Sequence, residues 1–134
     1  MRTLATFGFA ALVLAGCDAP VATAPTPANQ AFDGSWTGTF TSSGGVALDG
    51  GVCTDATGEG VITNGVMDGS ANTRYGLFQA KATVAPGGAI EGTFFNVGGT
   101  GVGMFTGAAS GPDSFAGTFE DSLGCDGTWV MQRA

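Results

Sequence analysis

From Phe32 onward, large apolar side chains recur at every second position, with threonine and other polar residues between them. Phe32, Gly34, Trp36, Gly38 and Phe40 share one phase, and Thr37, Thr39 and Thr41 share the other. The same alternation runs through Phe78, Ala80, Ala82 and Val84, through Ile90, Gly92 and Phe94, through Phe115, Gly117 and Phe119, and through Cys125, Gly127, Trp129 and Met131. A period of two marks a strand with one buried face, and no window shows the period of about 3.6 residues that a helix requires. Within these runs Phe32–Trp36, Ile90–Phe94, Phe115–Phe119 and Cys125–Trp129 repeat one order: apolar, any residue, Gly, Ser or Thr, aromatic. An inward glycine between two large side chains leaves a gap for an aromatic from a facing strand and eases bending at a barrel corner. Turn signals separate the runs: Asn64-Gly65, a type I′ hairpin pair, then Pro86-Gly87-Gly88, Gly98-Gly99 and Gly111-Pro112-Asp113. About eight strands at this short spacing predict an all-β domain over residues 32–134. The expected form is an antiparallel up-and-down barrel, whose closure removes exposed edges, with a two-sheet sandwich as the alternative.

The first thirty-one residues follow a different pattern. Met1-Arg2-Thr3 carries one positive charge, and Leu4 to Leu14 form an uncharged apolar run too short to span a hydrocarbon core. Leu14-Ala15-Gly16-Cys17 follows directly. This segment resembles the lipobox of bacterial lipoproteins, in which the cysteine thiol receives diacylglycerol and a dedicated peptidase cuts in front of it. The resemblance implies a signal helix over residues 1–16, removed on export, and a lipidated N-terminus at Cys17. It also implies a protein held at the cell membrane and facing the periplasm, because two or three acyl chains anchor a chain durably without a transmembrane helix. Asp18 is similar to the inner-membrane retention signal of enteric lipoproteins; the choice between inner and outer membrane stays open. Residues 17–31, with prolines at 20, 25 and 27, read as a disordered, semi-rigid tether.

Composition narrows the partners. The chain has four basic against eleven acidic residues, a net charge of −7; removing residues 1–16 takes away Arg2 alone and leaves −8. Nucleic acid needs clustered Lys and Arg, so it is not an expected partner, and contact with the membrane has to come from the lipid. Glycine is the outlier at 25 residues, with no three-residue period that would indicate collagen. With Cys17 lipidated, Cys53 and Cys125 remain as an even pair in an oxidising compartment, and a structural disulfide is expected. A redox or metal pair is the alternative; neither cysteine lies in a CxxC motif.

Candidate chemistry is sparse. Histidine is absent, Lys81 is the only lysine and Tyr75 the only tyrosine, so no nucleophile has an evident base and an enzyme is not expected. No cofactor or metal is expected either. Asp49, Asp55 and Glu59 share one glycine-rich stretch that a hard cation could favour, and a Cys53–Cys125 bridge would bring Asp121 and Asp126 alongside, but solvated loop carboxylates explain the same pattern. Trp36, Trp129 and the phenylalanines are candidates for a ligand cavity, against which stands a simply packed core. Arg74-Tyr75 is an exposed binding spot or an ordinary hairpin surface.

Gly34-Ser35-Trp36 on the first strand and Arg133 at the end of the last resemble the signature of the calycin barrels, which include lipocalins, avidins and small periplasmic inhibitors of metalloproteases. In those folds the tryptophan packs beneath a basic residue and closes one end of the barrel, so the resemblance implies that Trp36 and Arg133 form such a pair. Gly103–Phe119 is similar to the barrel domains of transferrin-binding surface lipoproteins. The expectation is a lipid-anchored, non-catalytic envelope lipoprotein acting as a binding or structural module, with a possible protein partner there. A calycin-type protease inhibitor and a carrier of a small lipophilic ligand are the alternatives.

Overall fold

The computed structural model describes residues 28–96 and 101–134. The signal segment, Cys17, Asp18, the tether up to residue 27 and the Gly98-Gly99 turn lie outside the described residues. A 3-10 helix, Ala28–Phe32, leads into eight strands: β1 (Gly34–Ser42), β2 (Ala56–Thr63), β3 (Val66–Thr73), β4 (Gly76–Val84), β5 (Ala89–Asn96), β6 (Gly101–Gly111), β7 (Ser114–Asp121) and β8 (Asp126–Arg133). Each strand pairs antiparallel with the next and β8 returns to β1, closing an up-and-down barrel; the sandwich alternative is excluded. Ala28–Ala31, read from sequence as tether, therefore belongs to the fold: Gln30 donates to the Asn64 side chain at 3.0 Å and Arg133 to the Ala31 carbonyl at 3.3 Å.

The alternation sets the two faces of the wall. On β4, Ala80, Ala82 and Val84 point inward and are buried while Gln79, Lys81 and Thr83 face out. On β1, Trp36 points inward between exposed Ser35, Thr37 and Thr39. An apolar inside and a threonine-rich outside are the inverse of a membrane-spanning barrel, whose apolar band faces outward. Asn64-Gly65 makes the β2–β3 turn with positive φ at both residues, 50° and 77°, as a type I′ turn requires.

An eight-stranded barrel is just wide enough for its interior to be filled by side chains. Here phenyl rings pack against glycines, but from the adjacent strand rather than from the facing strand anticipated from the sequence. Phe105 on β6 is the register partner of Gly92 on β5, and Phe94 is the partner of Gly103. A Cβ at Gly92 would lie 2.5 Å from Phe105 Cζ, and one at Gly103 would lie 2.1 Å from Phe94 Cε2. The reason is register: partners opposite each other across a ladder stand on the same face, so the ring leans over its neighbour before it can reach the far wall. Trp129 extends the rule across two strands. It is the register partner of Gly117, its ring would meet a Cβ at Gly107, and its indole N–H donates to the carbonyls of Thr118 at 3.0 Å and Thr106 at 3.2 Å.

Arg133 and Trp36 are register partners across the β1–β8 seam, and the guanidinium lies 4.6 Å from the Trp36 ring centroid. Arg133 also donates to Asp113 Oδ1 at 2.7 Å, to the Asp33 carbonyl at 2.6 Å and to the Pro112 carbonyl at 3.0 Å. Beneath it Trp36 donates to the Phe32 carbonyl at 3.0 Å and meets Phe115, which is fully buried, at 5.0 Å. This end of the barrel is closed by side chains from both ends of the domain.

Gly107→Ala is expected to lower stability by about 1–3 kcal/mol, since its Cβ would lie 2.2 Å from the Ala116 carbonyl oxygen and 2.7 Å from the Trp129 ring. Gly87→Ala has open space and is expected to be neutral or stabilising by up to about 1 kcal/mol. Urea unfolding of both variants checks the contrast; equal effects would mean that close approach is not what the Gly107 position requires.

Candidate functional site at the open end of the barrel

The turns at the closed end are short: Asn64-Gly65, the segment before Ala89, and Pro112-Asp113. The opposite end carries the thirteen-residue β1–β2 loop (43–55), the Arg74-Tyr75 turn and the β7–β8 segment 122–125. The long loop is a strap. A Cys53–Cys125 disulfide, Cα atoms 5.6 Å apart, joins it to the residue before β8, and the Leu48 N–H donates to the Leu123 carbonyl at 2.8 Å. A Val46–Val52 bridge folds it back on itself. Its far side is tied to the β3–β4 turn, where Asp49 accepts from Arg74 at 3.1 Å and from the Tyr75 hydroxyl. The Arg74 guanidinium lies 4.2 Å from the Tyr75 ring centroid. The disulfide spans 72 residues of sequence, and cross-linking a loop of that length contributes about 4 kcal/mol in the chain-entropy model.

At the same end, beside the strap, is a cavity of about 330 Å³ to which the strap contributes Thr54. Phe40, Phe94 and Phe119 form its floor, packed edge-on with centroids 6.0 Å, 5.6 Å and 6.4 Å apart. Phe78 and Leu123 stand at its sides, and Arg74, Tyr75 and Asp121 at its rim. Below the floor the barrel is solid: Phe105 stacks under Phe94 at 5.8 Å, and Trp129 meets Phe105 edge-on at 5.7 Å. Both readings of the interior therefore hold, at different depths. Trp36 and Trp129 are not cavity residues, because each is 1% exposed and hydrogen-bonded within the packed part.

The acidic stretch is dispersed rather than convergent. Asp49 faces Arg74; Asp55 accepts from the Ser42 N–H at 2.8 Å; Glu59 points outward from the middle of β2. Asp121 Oδ1 accepts from the Leu123 and Cys125 N–H groups at 2.9 Å and 2.8 Å, and Asp126 begins β8. The bridge does bring the two loops together, but among the described residues no group of three or more His, Cys, Asp or Glu is placed to hold a metal ion.

Inward positions such as Phe40 and Phe94 are legible from alternation, but which end of a barrel opens is not. The signal that could have found the mouth is loop length: the longest connection follows Phe40, and a phenylalanine stands near that same end of β5 and of β7.

No protein-family model matches the chain, and no curated protein matches it. Among solved structures it is similar to a de novo designed fluorescence-activating β-barrel, with 19% identity over 81% of this chain and 99% of that one and a TM-score of 0.54. A redesigned β-barrel bound to DFHBI is 21% identical, over 81% of this chain and 100% of the other, with a TM-score of 0.49. The first likeness is one of fold.

Arg74→Ala is expected to release the strap without opening the barrel. Hydrogen exchange at residues 46–52 should accelerate about fivefold, with the strands unchanged and stability lower by no more than about 1 kcal/mol, as partly exposed ion pairs give. Unchanged exchange in the strap would show that the disulfide alone holds it.

Proposed function

We propose that this protein is a non-catalytic, lipid-anchored bacterial envelope lipoprotein whose barrel binds a small, largely apolar ligand at its open end. The observation that carries the reading is the phenylalanine-floored cavity of about 330 Å³, within the size range of small-molecule sites, beside a strap fastened on both sides. The polarity of the domain supports it. The chain enters at the closed end through Ala28–Phe32, so an anchor at Cys17 attaches opposite the mouth. Ten residues, 18–27, separate Cys17 from the described fold, and a proline-rich linker of that length can span about 31 Å, enough to hold the mouth clear of a bilayer. With no histidine and a single lysine in the chain, binding rather than turnover is the function these residues support.

A second reading, a protease inhibitor, is favoured by one feature. Val46, Leu48 and Val52 are exposed on the strap, Leu48 by 82%, and an ordered apolar loop is what such an inhibitor presents to its target.

Intact mass of membrane-extracted protein should show a diacylglyceryl chain beginning at Cys17, absent in Cys17→Ser. The neutral dye N-phenyl-1-naphthylamine should bind saturably at one site, and Leu123→Trp, which fills the mouth, should weaken it about tenfold. Absence of saturable binding would remove the ligand reading. Added to a panel of envelope and secreted proteases, the domain should leave every activity intact; inhibition of one would favour the second reading.

A further inference from the structure

We infer that the mouth selects lipophilic organic cations, such as arylalkylammonium and quaternary ammonium ions, over neutral or anionic molecules of the same shape. The inference rests on the proposed ligand-binding role of this cavity. Its basis is the charge inventory around the aromatic floor. Of the cavity's lining residues only Arg74 and Asp121 are charged. Arg74 is already matched by Asp49 at 3.1 Å and held against Tyr75, so it brings no unopposed positive charge to a ligand. Asp121 has no basic partner: the ion pairs among the described residues join Arg74 to Asp49, Lys81 to Asp68 and Arg133 to Asp113. Its Oδ1 holds two backbone N–H groups, which fixes the carboxylate at the rim. Arg74, its partner Asp49 and Asp121 together leave one net negative charge at the mouth.

The surroundings have the same sign. Glu120 and Asp126 stand opposite each other where β7 and β8 reach the mouth, and Asp55 lies against Ser42 at the top of β1. In a low-dielectric cleft such charges focus a negative potential that concentrates cations and repels anions. The floor adds to this at short range. Phe40, Phe94 and Phe119 line the cavity with aromatic rings, and an organic cation that settles over a ring face gains an attraction that a neutral isostere does not. Apolar shape alone would admit all three charge types; the rim and floor rank them.

The test uses three naphthalenes of closely matched shape: 2-naphthylmethylammonium, 2-naphthylmethanol and 2-naphthoate. Each is titrated calorimetrically into the full exported chain, with Cys17→Ser to keep it in solution. The cation should bind about tenfold more tightly than the alcohol, the carboxylate most weakly, and the cation's lead should shrink as salt is raised. Asp121→Asn keeps an oxygen for the Leu123 and Cys125 N–H groups and should weaken the cation about fivefold while leaving the alcohol unchanged. Equal affinities, a leading carboxylate, or indifference of the cation to Asp121→Asn would overturn the selectivity while leaving the cavity a ligand site. Binding by none of the three would overturn the ligand-binding reading itself.

Discussion

The packing of aromatic rings against glycines of the neighbouring strand is the constraint on which the rest of this structure depends. Closure of eight short strands requires strong coiling, and coiling brings backbones together on the inside of the wall. A Cβ at Gly117 would stand 1.9 Å from the Thr106 carbonyl oxygen, so the β6–β7 ladder has no room for one. The rings of Phe94, Phe105, Phe119 and Trp129 occupy the space that the missing side chains leave, and Trp129 supplies an N–H to two carbonyls of the wall, those of Thr106 and Thr118. Glycine and aromatic are thus one unit: the first permits the approach, the second fills what it opens.

That unit also explains why the two ends differ. At the closed end, Phe32, Phe115 and Trp36 stack below Arg133, whose guanidinium, at the end of β8, gathers carbonyls from the segment leading into β1 and from the β6–β7 turn. At the other end the phenylalanines have no such lid. They line a cavity instead, and the long loop beside it is fastened by a disulfide on one side and by Asp49 on the other. The same ring type closes the core from above and floors the mouth from below.

Much of this was legible in the sequence and some was not, for physical reasons. Alternation fixed the inward faces, because burying one face of a pleated strand leaves a period-two imprint. Asn64-Gly65 announced its turn because few residue pairs accept positive φ twice in succession. The strap did not announce itself: Asp49 and Arg74 are 25 residues apart, and nothing local marks them as partners. Ala28–Ala31 reads as tether from sequence because it continues an alanine-, proline- and threonine-rich stretch, and its place in the fold comes from long-range contacts, of Gln30 with Asn64 and of the Ala31 carbonyl with Arg133. The direction from which each ring reaches its glycine depends on register, which single-strand patterns do not contain.

The position of β1 has a mechanical consequence. It is the one covalent line from the 3-10 helix at the closed end to the strap at the mouth. A pull between an anchor before Ala28 and anything gripping the strap runs along this strand. Seven residues of β1 pair with β2 and seven with β8, and their hydrogen bonds lie across the direction of pull. Such bonds are loaded together in shear and do not unzip one after another. The strand that opens the sequence of the barrel is thereby its tension member.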